Sequence, residues 1–358
     1  MIYYTVSFSL DAVGGHQAAT VEKIEALRRL DHDVQVFSPK KSSGPLSALF
    51  LLWVEICVFL CAVKSNKKDI FIFRGWVGFL ALMVLRVKGG MVAREVHSDL
   101  VEESEHISDG VRRLLLTVIG YYTVLLDLLC GYLIFNHPCM QSHFKKKYKG
   151  RAEGDWYYNG VSPSKFNSPL GPHPEEIFSL QPYLVFVGNV SKWHGLDKAI
   201  DCFLGSSTLR EKYSLVVIGP LSDPSGFERY HGCPEVLFLG RRSNREVQHW
   251  IRESEACLLP VNPVRVSPGS PLKLYEYLAH GKPVFTQENV IGYSDVVTKF
   301  GAGVCVDFFE VDATASRLES YLLGLPVENK SVVDTVKNEI TWDVVMEKWL
   351  AGIVRYYQ

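Results

Sequence analysis

The chain has 358 residues, more than one hydrophobic core comfortably serves, so two domains are expected. Its 38 Lys and Arg balance 39 Asp and Glu, and the net charge of -1 excludes the strongly basic footprint of a nucleic-acid binder. Eight cysteines lie mostly in apolar runs and no Cys/His array has metal-site spacing, which predicts reduced core thiols and no metal centre.

Residues 2–9 read as a buried strand, 12–16 (AVGGH) as a turn, 17–30 as a helix and 33–38 as a second strand, a βαβ start. Gly14 and Gly15 let the backbone approach a ligand at the carboxyl end of the first strand, where open α/β sheets bind. The first apolar run passes into this turn with no basic region before it, so it reads as a strand and not a signal peptide, and the expected location is the cytoplasm. Two apolar segments, 45–63 and 114–135, approach membrane-spanning length. Glu55 in the first and Asp127 in the second favour buried or membrane-lying helices over spans. The basic residues Lys145, Lys146, Lys147, Lys149 and Arg151 offer peripheral contact with the inner membrane face, or else are simply solvated. Strands at 69–74 and 91–96 flank a helix at 77–86, and the second of them delivers Glu95, His97, Ser98 and Asp99 to one loop. Further strands follow at 133–136 and 155–158, before an Asn159-Gly160 turn.

Residues 162–181, rich in Pro, Ser and Gly, read as a linker to a second α/β unit. Its strands are expected at 183–187, 215–218, 236–239 and 256–260, with helices at 195–203 and 246–253. The most informative stretch is 267–285, SPGSPLKLYEYLAHGKPVF. Ser270 as N-cap and Pro271 in the first turn open a short helix, along which Leu272, Leu274, Tyr275, Leu278 and Ala279 are apolar. Lys273 and Glu276, three apart, share a face. N–H groups after Gly269-Ser270-Pro271 suit an anion, and a carboxylate one turn deeper suits sugar hydroxyls, which together describe a nucleotide. A surface helix with an ordinary i, i+3 ion pair is the plainer alternative. Residues 341–358 form a closing helix with Thr341 as N-cap.

This stretch resembles the nucleotide-sugar signature of the retaining family 4 glycosyltransferases, in the sub-branch with WHG and SPxKLxEY motifs. The segments YYNGVSPSKF, GNVSKWHG, VLFLG and TWDVVMEKWLAGIVRYY resemble other parts of that family in the right order. The resemblance implies an α/β GT-B fold of two Rossmann-like, doubly wound domains facing a central cleft. Residues 1–165 would bind the acceptor, 166–340 the nucleotide sugar, and 341–358 would cross back to the first domain. It also implies that Glu276 binds the ribose as the second Glu of a Glu-x7-Glu motif whose first position is Pro268. The loop of Gly15 would lie over the diphosphate and acceptor, and His97 against the transferred sugar, unless its ring merely bonds Glu95 or Asp99. Beside Gly188, the family's Arg/Lys positions hold Asn189 and His194, so Lys192 and Lys273 would share the diphosphate. Arg265, in the loop of Gly269, is a further phosphate candidate, the backbone near Arg241 would read the base, and Trp193 would either pack the loop or touch ligand.

The implied reaction moves a sugar from a nucleoside-diphosphate donor to a hydroxyl of a glycan or lipid-linked acceptor, with retention, in bacterial surface polysaccharide synthesis. No cofactor or metal is expected, because cations and helix dipole take the place of the ion that other transferases hold with an Asp-x-Asp motif. A non-hydrolysing nucleotide-sugar epimerase and an inactive partner subunit share the architecture, and the sequence leaves both open.

Overall fold

Runs such as IYYTV and IFIFR are buried along their whole length, as strands covered on both faces by helices must be. The computed structural model describes residues 1–11, 15–42, 45–105, 107, 109–167, 174–178, 182–190, 194–262, 270–324 and 330–358. These form two units, one of Met1–Gly160 with Trp342–Gln358 and one of Val161–Thr341. Each holds one six-stranded sheet in which every pairing is parallel.

The first unit runs β1 (Ile2–Val6), α1 (Gly15–Arg29), β2 (Val34–Phe37), α2 (Pro45–Lys64), β3 (Ile70–Arg74), α3 (Phe79–Lys88) and β4 (Met91–Val96). It continues through α4 (Leu100–Glu105), α5 (Gly110–Cys130), β5 (Tyr132–Phe135), α6 (Pro138–Lys147) and β6 (Glu153–Trp156). The strand order is β2-β1-β3-β4-β5-β6, so the direction of winding changes between β1 and β3. Loops diverge there and leave a crevice at the carboxyl ends of the strands. The apolar segment expected at 114–135 is two elements. Asp109 caps α5 by accepting from the N–H of Val111 and Arg112, at 3.0 and 3.2 Å, so the helix starts earlier than its apolar run. It stops at Gly131, whose φ is 82°, and the last apolar residues become β5.

The second unit opens with two short helices, α7 (Ser164–Asn167) and α8 (Glu175–Phe178), inside the stretch expected to be a plain linker. Then come β7 (Tyr183–Val187), α9 (Leu196–Leu204), α10 (Ser207–Lys212), β8 (Ser214–Ile218), β9 (Val236–Gly240), α11 (Asn244–Glu253) and β10 (Ala256–Leu259). After them follow α12 (Leu272–Ala279), β11 (Val284–Gln287), α13 (Ser294–Phe300), β12 (Gly303–Val306), α14 (Val311–Leu323) and α15 (Lys330–Glu339). The strand order β12-β11-β10-β7-β8-β9 puts this unit's change of direction between β7 and β10. The chain enters and leaves the unit side by side, Val161 N–H donating to Ile340 O at 2.9 Å. The last helix, α16 (Trp342–Tyr357), then packs in the first unit, where the Arg29 guanidinium on α1 holds Asp343 at 2.5 Å. All eight cysteines are free thiols, with Cys130, Cys202 and Cys257 buried and the others half-buried.

The ends of β7 and β8 are held together by backbone alone. Gly188 N–H donates to Ile218 O at 2.9 Å, and the next residue on that strand, Gly219, has φ +135°. A Cβ on Gly219 would sit 1.9 Å from Gly188 O, inside any permitted contact. Gly219→Ala therefore meets both left-handed strain and a backbone clash, and should cost about 2 kcal/mol or more in a urea melt followed by far-UV circular dichroism.

Candidate functional site

In the second unit the crevice between β7 and β10 is organised by α12. Tyr277 is fully buried, and its hydroxyl accepts from Val187 N–H at 2.9 Å, which pins the helix to the end of β7. Lys273, one turn earlier, is sent to the same place. Its Nζ is buried 4.0 Å from the centroid of the Phe186 ring and has no hydrogen-bond partner among the described residues. Gly188 makes the room: a Cβ there would lie 3.1 Å from that nitrogen. Burial brings the ammonium down to about 7, and no carboxylate among the described residues offsets it. A cation withdrawn from water and left uncompensated is a strong attractor for an anion.

Other residues named from the sequence lie along the same unit, Asn189 after β7, His194 before α9 and Arg241 after β9. His194 meets the other side of the environment of Phe186, ring to edge, with centroids 5.9 Å apart. Asn189 Oδ1 accepts from Ser222 Oγ at 3.1 Å, and Arg241 is exposed just past Gly240. Lys192, Trp193, Arg265, Pro268 and Gly269 lie outside the described residues.

Three details differ from expectation. Helix α12 starts at Leu272 with Pro271 as its extended N-cap residue, so Pro271 is not in the first turn. Ser270 does not cap it; its hydroxyl is 2.8 Å from that of Tyr275. Lys273 and Glu276 do not pair with one another. Glu276 Oε1 lies 3.3 Å from Lys165 Nζ, while its Oε2 accepts from Gln248 Nε2 at 3.5 Å. Gln248 Oε1 in turn accepts from His280 Nε2 at 2.6 Å, and Lys165 Nζ donates to Asn244 Oδ1 at 2.5 Å. Glu276 keeps a quarter of its side chain exposed, oriented by a web that no local spacing reveals.

In the first unit β4 places Glu95 in the core and His97 at its rim. Glu95 accepts from the Tyr4 hydroxyl at 2.8 Å and from Lys23 Nζ, has Arg74 NH1 at 3.5 Å, and meets His97 Nε2 at 2.5 Å. Burial alone would raise this carboxyl, yet the charges of Arg74 and Lys23 overcome it and hold the group well below the ordinary range. Lys23 is buried beneath Trp342 and Trp349 of α16, its Nζ 5.1 and 4.8 Å from the ring centroids. Burial and the Arg74 charge pull His97 down to about 4 against the pull of Glu95, so its ring is neutral at ordinary pH. Of the two carboxylates open to His97 from sequence, it bonds Glu95; Asp99 takes Lys147 and His143 instead.

A cavity of about 500 Å³ opens in front of this cluster, lined among others by Phe8, His16, Arg74, Trp76, His97 and Ser98. Gly15, next in sequence to the lining residue His16, is the first, exposed residue of α1. Sequence reasoning missed Lys23 and Arg74. The signal for Lys23 was one cation in the otherwise apolar α1 stripe of Ala19, Ile24 and Leu27. An Asp-x-Asp triplet also occurs, Asp31-His32-Asp33, but it is the exposed turn between α1 and β2, at the amino end of the strands and away from the crevice.

Among comparisons with known proteins, residues 172–331 match the family model described as glycosyl transferases group 1. No curated protein matches by sequence. Solved structures do match over the whole chain. A glycosyltransferase from Rickettsia africae has a TM-score of 0.71 at 15% identity, covering 99% of this chain and 98% of that one. The glycosyltransferase WaaG, involved in lipopolysaccharide biosynthesis, reaches 0.65 at 16%, covering 99% of both chains. An E. coli protein titled trehalose-6-phosphate and bound with UDP-2-fluoro glucose reaches 0.67 at 13%, again covering 99% of both. The fold is therefore GT-B.

Lys23→Met would leave Glu95 buried with one cation fewer and should lower unfolding free energy by about 3 kcal/mol. Arg28→Met, which breaks only the exposed pair with Glu25, should change it little. Paired chemical melts check the contrast, and equal effects would show that the buried cluster carries no special stability.

Proposed function

We propose that the protein is a retaining glycosyltransferase that takes a sugar from a nucleoside-diphosphate donor and transfers it to a hydroxyl of a glycan or lipid-linked acceptor. The observation that carries this is the buried Lys273 ammonium beside Gly188, without a hydrogen-bond partner among the described residues, at the strand ends where an α/β sheet binds phosphates. The family match over residues 172–331 supports the same assignment, because both residues lie inside it.

In this reading the diphosphate sits against Lys273 and the backbone after Gly188, shared with Lys192 in the same loop. Glu276 accepts hydrogen bonds from the ribose, and backbone near Arg241 meets the base. As the bond from the anomeric carbon to the phosphate oxygen breaks, negative charge grows on the diphosphate. Lys273 is already desolvated and fixed, so it stabilises that charge without reorganising. The acceptor oxygen bonds the same face of the anomeric carbon, and its proton passes to the departing phosphate oxygen. No protein nucleophile is needed, and the cations with the α12 N–H groups supply the positive charge without a metal. His97, neutral and held by Glu95, would hydrogen-bond the transferred sugar, and the cavity before it would take the acceptor. We place the reaction in the cytoplasm, at the inner membrane face, in the assembly of a bacterial surface polysaccharide.

The first test is a thermal-shift series with UDP, GDP, ADP and CMP. One diphosphate should raise the melting temperature of the wild type. Glu276→Ala should weaken that nucleotide about ten- to a hundredfold while folding normally, the loss of hydrogen bonds to a charged acceptor. Unchanged affinity would remove Glu276 from the ribose, and no shift with any nucleotide would favour a partner subunit without activity.

Proton linkage gives a second test. The free Lys273 ammonium titrates at about 7, and a bound diphosphate must raise that value. Binding above pH 7 should then take up about one proton per site, and affinity should fall by up to about tenfold per pH unit until the bound-state value is reached. Calorimetry in buffers of different ionisation enthalpy measures the uptake. Lys273→Met should abolish it, and uptake that persists in this variant would show that another group is responsible.

A further inference from the structure

Helix α2 is apolar on every side, yet the unit covers only one. Val54, Val58 and Ala62 are buried, the last two in one core cluster with Phe71 and Phe73. On the other side Leu46, Leu49, Trp53, Ile56, Leu60 and Val63 recur at intervals of three and four and stay exposed, Trp53 by 64%. The adjoining helices continue this surface. Beside α2, α3 exposes Leu80, Met83 and Val87, the last by 87%. Beside α3, α5 exposes Val111, Leu114, Val118, Tyr121 and Leu125, again at intervals of three and four. Scattered apolar residues are normal on a protein surface, but three adjacent helices with unbroken stripes form a continuous patch that calls for an apolar partner.

Charge identifies the partner. The two carboxylates within the long helices are turned inward. Glu55 accepts from Gly78 N–H at 2.5 Å and Leu80 N–H at 2.7 Å at the start of α3. Asp127 is buried, 3.0 Å from Arg94 Nε and accepting from the Tyr148 hydroxyl at 2.6 Å. No other acid occurs in α2, α3 or α5. The exposed charges within their end turns are cations, Lys64 closing α2, Arg86 in the last turn of α3, and Arg112 and Arg113 in the first turn of α5, while the exposed acids nearby are the α5 cap Asp109 and Glu103 and Glu105 of the neighbouring α4. An uncharged apolar face edged with cations complements a lipid surface with anionic headgroups. The helices are long and apolar enough to cross a bilayer, but 17% and 22% of their apolar windows are buried in the unit. Crossing would pull Val58 and Leu126 out of the core they share with Phe71 and Phe73.

We infer that the face made by α2, α3 and α5 docks in the plane of an acidic phospholipid bilayer, with its exposed stripes in the interfacial layer. Its purpose rests on the lipid-linked acceptor proposed above, whereas its test does not require sugar transfer. The full chain is mixed with vesicles of phosphatidylglycerol and phosphatidylethanolamine, or of phosphatidylcholine alone, and floated on a density gradient. Wild type should float with the acidic vesicles, and less so with phosphatidylcholine or at high salt. A Leu49→Glu/Trp53→Glu double variant, changed only at exposed positions, should bind at least about tenfold more weakly and keep the wild-type circular dichroism melt. Ile291→Glu, an exposed apolar site in the second unit, should float like wild type.

Wild type that stays soluble with both vesicle types overturns the inference. So does a dimer by light scattering that the double variant dissociates, which would seat a second copy on this face. Resistance to alkaline carbonate extraction from membranes would also overturn it, in favour of a span. Nucleotide thermal shifts on the same samples separate the two readings: flotation without any shift removes the donor site and leaves the membrane face standing.

Discussion

A lysine ammonium held out of water with no counter-ion among the described residues is the interaction on which the second unit turns. Such a charge costs several kcal/mol, and a fold tolerates it only where surrounding contacts over-determine the geometry. Here they do. The Tyr277 hydroxyl ties α12 to the end of β7, Phe186 lays its ring under Lys273, and Gly188 leaves the space a side chain would fill. The same contacts that bury the cation aim it at the switch point of the sheet, where open α/β sheets bind ligands.

The first unit treats buried charge in the opposite way. Glu95 is surrounded by Lys23, Arg74 and the neutral His97, so the cluster is internally compensated and carries one positive charge in excess. Its energy goes into fixing geometry. Lys23 links the carboxylate to Trp342 and Trp349, which ties the last helix of the chain to the loop that presents His97. One buried ion network is thus structural and positioning, while in the other unit Lys273 is buried without a hydrogen-bond partner among the described residues.

The three outer helices of the first unit show how tertiary placement changes the meaning of an acidic residue. In the sequence, Glu55 and Asp127 interrupt apolar segments and argue against spans. In the fold both point inward, one onto the N–H groups that open α3 and the other into a pair with Arg94, and the outward stripes are uninterrupted.

Much of the architecture was legible in the sequence because parallel strands buried on both faces leave continuous apolar runs, and Gly after such a run marks a strand end. Lys273 and Glu276 could be singled out by local chemistry, and His97 and Gly188 by the segments that resemble a known family. Their partners could not. Lys165, Gln248 and Lys23 reach their carboxylates across 111, 28 and 72 residues, and no spacing rule spans such distances. The amino-acid order by itself determined which residues form strands and which helix carries the candidate nucleotide site, since these follow from local pattern. Only the tertiary structure decided that Lys273 lacks a partner among the described residues while Glu276 has one, because burial and counter-charge are properties of what the chain brings together from afar.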